Sequence, residues 1–211
     1  MKNQSLVAVL DGQPVLPVLV IDRLADAVPL AQALMRGGLP AIEVTLRTRH
    51  ALDAIRLIAD EAPEIIVGAG TVRNALQFQE AAAAGSRFVV SPGVTQELID
   101  AANLSNMPFL PGVATPSEAM AMIEEGLTMM KFFPAEPAGG ADYLKALASP
   151  LPEARFCPTG GITPESADRY LALPNVVCVG GSWVAPAELV ANRDWQAIED
   201  LAREAARLRR T

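Results

Sequence analysis

The segment ARFCPTGGITPESADRYLALPNVVCVGGSW, residues 154–183, holds two short apolar runs that each end on a pair of glycines. Between them, Thr163–Pro164 opens a stretch that reads as a helix. The runs are aliphatic and β-branched with no polar face, as expected of strands covered on both sides in a parallel sheet. The segment is therefore a strand–helix–strand unit. Its two glycine pairs mark where each strand stops.

Working outward, the same beat recurs along the chain. Apolar runs appear at PVLPVLV (14–20), AIEVTLR (41–47), EIIVGAGT (64–71), RFVVSPG (87–93), PFLPGVA (108–114) and TMMKFFPA (128–135), before ARFCPTGG (154–161) and NVVCVGGSW (175–183). Helical patterns lie between them. HALDAIRLIADEA (50–62) aligns Leu52, Ile55, Ile58 and Ala59, and TQELIDAANL (95–104) opens on a capping threonine. TPSEAMAMIEEG (115–126) carries Thr115, Pro116 and Glu118 in a capping-box pattern. Pro29 predicts a kink or a late helix start within residues 22–38. Residues 192–210 predict one long amphipathic helix. Eight strand–helix units in this length predict an α/β fold, a (β/α)8 TIM barrel over residues 1–211 as a single domain, with a doubly wound sheet as the alternative.

The chain has 211 residues, half of them hydrophobic, and a formal charge of −7. No basic run suggests nucleic acid, and no apolar stretch is long enough for a bilayer. The N-terminal MKNQSLVAVLDG does not read as a signal peptide. Cys157 and Cys178 form no C-x-x-C pair and read as buried thiols, which points to the cytoplasm. The single histidine, His50, falls at a helix start and leaves no multi-histidine metal site.

In a barrel the chemistry sits at the C-terminal ends of the strands. Residues two apart on a strand share a face, so Glu43, Thr45 and Arg47 point one way, as do Met129, Lys131 and Phe133. If both faces are inward, a carboxylate, a guanidinium and a lysine converge at one mouth; the alternative is a structural ion pair. Lys131 sits among Met129, Met130, Phe132 and Phe133. An apolar setting disfavours the ammonium form, and the free amine is the form that adds to a carbonyl to give a Schiff base. Glu43 would then shuttle protons. Gly160, Gly161, Gly180, Gly181 and Ser182 end the last two strands, where barrels often hold phosphate on bare backbone amides. Tight turns are the alternative reading. Thr71 and Pro92, in GAGT (68–71) and SPG (91–93), also end strands.

Taken in order, EVTLRT (43–48), GAGT, SPG, KFFPAE (131–136), FCPTGGI (156–162) and GGSW (180–183) resemble the motifs of the 2-keto-3-deoxy-6-phosphogluconate (KDPG) aldolases. That class I family also includes the 4-hydroxy-2-oxoglutarate (KHG) aldolases. The match runs from about residue 14 to the C-terminus. It implies Lys131 as Schiff-base nucleophile and Glu43 as general acid/base. Arg47 and Thr71 would bind the substrate carboxylate, Pro92 and Phe133 would form an apolar wall, and Thr159 would contact a hydroxyl. Gly160, Gly161, Gly180, Gly181 and Ser182 would bind phosphate. It further implies cleavage of KDPG to pyruvate and glyceraldehyde 3-phosphate in the Entner–Doudoroff pathway, with no metal or cofactor, usually in a homotrimer. The loop PAGGADYLKAL (137–147), with Asp142 and Tyr143, departs from the family pattern and bears on aldehyde selectivity. Other readings are a phosphosugar isomerase or epimerase, a same-family aldolase for the galactonate epimer, and a non-catalytic phosphometabolite-binding domain.

Overall fold

The computed structural model describes residues 4–10 and 12–208. Strands β1 (Val15–Leu19), β2 (Ala41–Thr45), β3 (Ile66–Gly70), β4 (Val89–Val90) and β5 (Phe109–Leu110) pair in parallel, and β9 (Val179–Gly181) adds to the free side of β1. A second arc holds β6 (Gly112–Val113), β7 (Met129–Phe132) and β8 (Arg155–Pro158). The arcs join in two places. Pro111 alone separates β5 from β6, and the Phe156–Val176 and Thr159–Gly180 bridges link β8 to the segment that ends in β9. The ring closes as a TIM barrel; a doubly wound sheet would have left two free edges.

Helices α2 (Ala27–Arg36), α3 (Ala51–Glu61), α4 (Ala75–Ala83), α5 (Gln96–Ser105), α6 (Pro116–Glu124), α7 (Gly140–Leu147), α8 (Pro164–Leu171), α9 (Ala187–Asn192) and α10 (Trp195–Ala206) follow the strands. Thr95, Thr115 and Thr163 each cap the helix they precede, Thr115 in a complete box with Glu118. Pro29 lies in the first turn of α2, after a 3-10 turn at Leu24–Asp26, so it breaks no helical hydrogen bond.

Two buried clusters show which way each strand faces. Val15, Leu19, Ile42, Val44, Val67, Val89, Phe109, Met130, Phe132 and Phe156 pack with the helices. Leu16, Ala41, Phe88, Val90, Leu110, Met129 and Cys157 fill the lumen. The alternation is strict, as period-2 strands require. It carries Glu43, Thr45 and Lys131 inward above the Ala41 and Met129 layer.

Several expectations need correction. Residues 108–114 read as one strand but form two, because Pro111 has no N–H to give the ladder. Its carbonyl accepts from the Lys131 N–H at 2.8 Å, while the Gly112 N–H turns to Ser91 Oγ at 3.4 Å. Residues 87–93 and 175–183 yield only short ladders, at Val89–Val90 and Val179–Gly181. The expected C-terminal helix over 192–210 is interrupted at Arg193, whose φ is +56°, and α10 starts at Trp195; residues 209–210 lie outside those described. Helix α1 (Gln4–Leu10) was not anticipated. It places Leu6 and Leu10 against Leu16 and closes the floor of the lumen. Above it, the buried Gln13 amide donates to the carbonyls of Val15 and Ala41 and accepts from the Ala41 N–H, each at 2.8 Å.

Candidate active site

Lys131 comes from the middle of β7 and Glu43 from the middle of β2. Lys131 Nζ lies 3.5 Å from Glu43 Oε1, with the side chains 3% and 1% exposed. That distance is an ion-pair contact and too long for a good hydrogen bond. Glu43 Oε1 makes no hydrogen bond among the described residues. A buried carboxylate oxygen is normally hydrogen-bonded, and this one faces the amine instead.

The walls are shaped for these two groups. A Cβ on Gly70 would overlap the Glu43 carboxylate, so the glycine of GAGT is what lets Glu43 extend across the lumen. A Cβ on Gly112 would overlap the Pro92 carbonyl, which lets Pro92 press close beside the lysine strand. The Phe133 ring lies 5.3 Å from Lys131 Nζ, presenting its face to the amine.

Arg47 stands past the end of β2, exposed at the mouth, and its Nε donates to Thr71 Oγ1 at 3.0 Å. Thr71 has φ +58°, a left-handed conformation that a β-branched residue rarely adopts. Such strain costs on the order of 1–3 kcal/mol and collects at functional sites. Here it turns the Thr71 hydroxyl toward the guanidinium.

The glycine pairs divide by exposure. Gly160 and Gly161 have φ of +106° and +81° and reach the surface of the mouth, as does Ser182. Gly180 and Gly181 are buried: a Cβ would strike Thr159 on the first and the Trp183 ring on the second. Their bareness thus admits neighbours as well as shaping a turn. Thr159 itself is 7% exposed, its hydroxyl 3.4 Å from the Cys157 carbonyl. A cavity of about 720 Å³ opens between the end of β1 and α9, with Asp22, Ser182 and Trp183 on its wall.

The match to the family model described as KDPG and KHG aldolase spans residues 6–201. The chain belongs to that family. Within it, a 2-dehydro-3-deoxy-phosphogluconate aldolase of Pseudoalteromonas atlantica is 52% identical over 192 residues, 91% of this chain and 89% of its own. The structure of KDPG aldolase from Legionella pneumophila, with pyruvate captured at low pH as a covalent carbinolamine, superposes with a TM-score of 0.94 at 47% identity, covering 98% of this chain and all of its own. That of Zymomonas mobilis KDPG aldolase with 3-phosphoglycerate gives 0.90 at 50% identity, covering 97% and 96%. The family therefore spans this chain nearly end to end.

The other sequence features fall away from the lumen. His50 occupies the N-cap position of α3 and accepts from Arg49 Nε at 3.0 Å. Asp142 lies 3.8 Å from Arg169 on the exterior, and the Tyr143 ring stacks on Phe132, which faces the helical layer. The departure at residues 137–147 is thus an outer-layer feature. Sequence reading missed the buried Asp26, which pairs with Arg23 Nε at 2.6 Å and Arg193 Nε at 3.0 Å and ties the β1–α2 turn to the end of α9. No local pattern marks a pair 167 residues apart. It also missed the requirement for Gly70, although GAGT displayed it.

Proposed function

We propose that this chain is a class I aldolase, a carbon–carbon lyase that cleaves 2-keto-3-deoxy-6-phosphogluconate into pyruvate and glyceraldehyde 3-phosphate as a step of the Entner–Doudoroff pathway. The observation that carries this reading is the buried Lys131 amine 3.5 Å from a Glu43 oxygen that has no hydrogen-bond partner among the described residues. The amine adds to the C2 carbonyl, and Glu43 moves the proton needed to expel water and leave an iminium. Glu43, directly or through a water, then takes the proton of the C4 hydroxyl. The C3–C4 bond breaks, its electrons pass to the iminium, and the aldehyde departs. The resulting enamine is protonated at C3, and water hydrolyses the pyruvyl iminium to free Lys131.

Arg47 and Thr71 hold the C1 carboxylate, joined as they are at the mouth. Pro92 and Phe133 cover the apolar methyl side, and Thr159 meets a substrate hydroxyl. Gly160, Gly161 and Ser182 offer accessible donors to phosphate, with Gly180 and Gly181 shaping the ground beneath. KHG, which lacks the phosphate, fits the same lysine chemistry and is a second substrate. The whole barrel, 1–211, acts as one domain. We place it in the cytoplasm, where a phosphorylated substrate is retained by its charge, and as a homotrimer; Leu76, Leu104 and Met120, exposed on α4, α5 and α6, supply apolar surface for assembly. Borohydride reduction with pyruvate should fix a pyruvyl adduct on Lys131, located by peptide mass spectrometry. An unmodified lysine, or cleavage activity surviving Lys131→Ala, would overturn the assignment.

A further inference from the structure

Glu136 closes the KFFPAE motif and is not used by the chemistry above. Its backbone N–H donates to the Gly160 carbonyl at 3.0 Å, beside a 2.8 Å bond from the Ala135 N–H to the Thr159 carbonyl. Its side-chain stem lies against Gly161: a Cβ there would come within 2.9 Å of Glu136 Cβ. The carboxylate then accepts from Tyr170 Oη at 2.6 Å. Tyr170 is 1% exposed and sits in α8, the helix into which the Gly160–Gly161 turn leads. The turn is therefore clasped from both sides, by the β7–α7 connection and by its own following helix.

We propose that the Tyr170–Glu136 hydrogen bond is a positioning device for the phosphate end of the substrate, holding the Gly160–Gly161 turn in its binding shape. The inference rests on the assignment of phosphate to that turn. Both glycines have left-handed φ, so the turn has few intrinsic restraints and depends on its neighbours for a fixed shape. The bond joins a phenol to a carboxylate, a charge-assisted and short class of contact. Burial, together with Glu136, pushes the Tyr170 phenol well above its ordinary value, so it remains a donor throughout the neutral range. Loosening the turn should weaken the grip on phosphate and leave the Lys131–Glu43 chemistry intact.

The test separates binding from chemistry. In Tyr170→Phe, which keeps the buried ring, KM for KDPG should rise roughly fivefold to tenfold with kcat within about twofold of wild type. Exchange of the pyruvate methyl protons with deuterium, followed by NMR, involves no phosphate and should keep its rate. Glu136→Ala should repeat this pattern, while Glu136→Gln, which retains an acceptor, should recover most of the loss. Ser182→Ala serves as the reference for phosphate binding. If it raises KM for KDPG while Tyr170→Phe does not, the proposal fails and the phosphate assignment stands. If neither changes KM, both fall. Equal losses in cleavage and pyruvate exchange for Tyr170→Phe would mean a general structural role, and would also overturn it.

Discussion

Gly70→Ala is the substitution that the lumen is least able to absorb. The added methyl would occupy the space of the Glu43 side chain, approaching both its Cγ and its carboxyl carbon within 2.6 Å. Glu43 is 1% exposed and has no solvent to retreat into. Because β2 and β3 pair along five registered positions, separating the strands would break a ladder. The cheaper response is for the carboxylate to rotate away from Lys131. Loss of a positioned acid–base group costs about 10²–10⁴ in rate, or about 3–5 kcal/mol of barrier, whereas overpacking one methyl costs stability of about 1–3 kcal/mol. A coupled pyruvate-release assay on KDPG should therefore show kcat falling by at least about a hundredfold in a protein that still unfolds cooperatively. Gly68→Ala is the matched control, since its methyl would meet the Phe88 ring instead. It should lower the melting temperature and spare most of kcat. Near-normal turnover in Gly70→Ala, or equal catalytic damage from both, would refute the placement of Glu43.

Two further outcomes follow from local conformation and charge. Thr71→Gly removes a left-handed β-branched residue, so the melting temperature should hold or rise although the hydroxyl is lost, while KM for pyruvate-bearing substrates climbs about tenfold; a fall in both stability and KM would contradict the strain account. At Glu118, burial acts to raise the pKa, but bonds from the Ala114 N–H, the Thr115 hydroxyl and the Thr115 N–H outweigh it and leave the carboxyl below its ordinary value. A depressed folded value contributes stability that is present above about pH 4.3 and is lost as pH falls through the folded value. Urea midpoints of wild type and Glu118→Gln should accordingly converge between about pH 5 and pH 3; a constant gap would sink the claim.

Which side chains face the lumen was legible because a strand has a period of two and the apolar runs were unambiguous. Once Glu43 and Lys131 were assigned to strands of one barrel, their meeting needed only closure of the ring. The capping threonines were legible for the same local reason. What escaped was set by contacts between distant segments. Pro111 was visible in the sequence, but a proline can end a strand or merely interrupt one, and only the Ser91 hydroxyl taking over the Gly112 N–H decides which. The Tyr170–Glu136 bond links residues 34 apart across two loops, and the Asp26–Arg193 pair links residues 167 apart. Glycines were read as phosphate ligands because that is what bare amides can do. Gly180 and Gly181 also make room for Thr159 and Trp183, a steric duty that needs the partner's position to be seen.

Glu43 hangs from the six-stranded arc and Lys131 from the three-stranded one, so no continuous ladder spans the carboxylate and the amine. Their spacing is governed at the joints. One is a peptide bond through Pro111 and cannot slip. The other is the seam between β8 and the β9 segment, held by the Phe156–Val176 and Thr159–Gly180 bridges, the second of them flanked at the mouth by Gly160 and Ser182. A phosphate gripped by that turn and that serine would clamp the looser joint from above, so that the remote end of the substrate would calibrate the gap at which its carbonyl reacts.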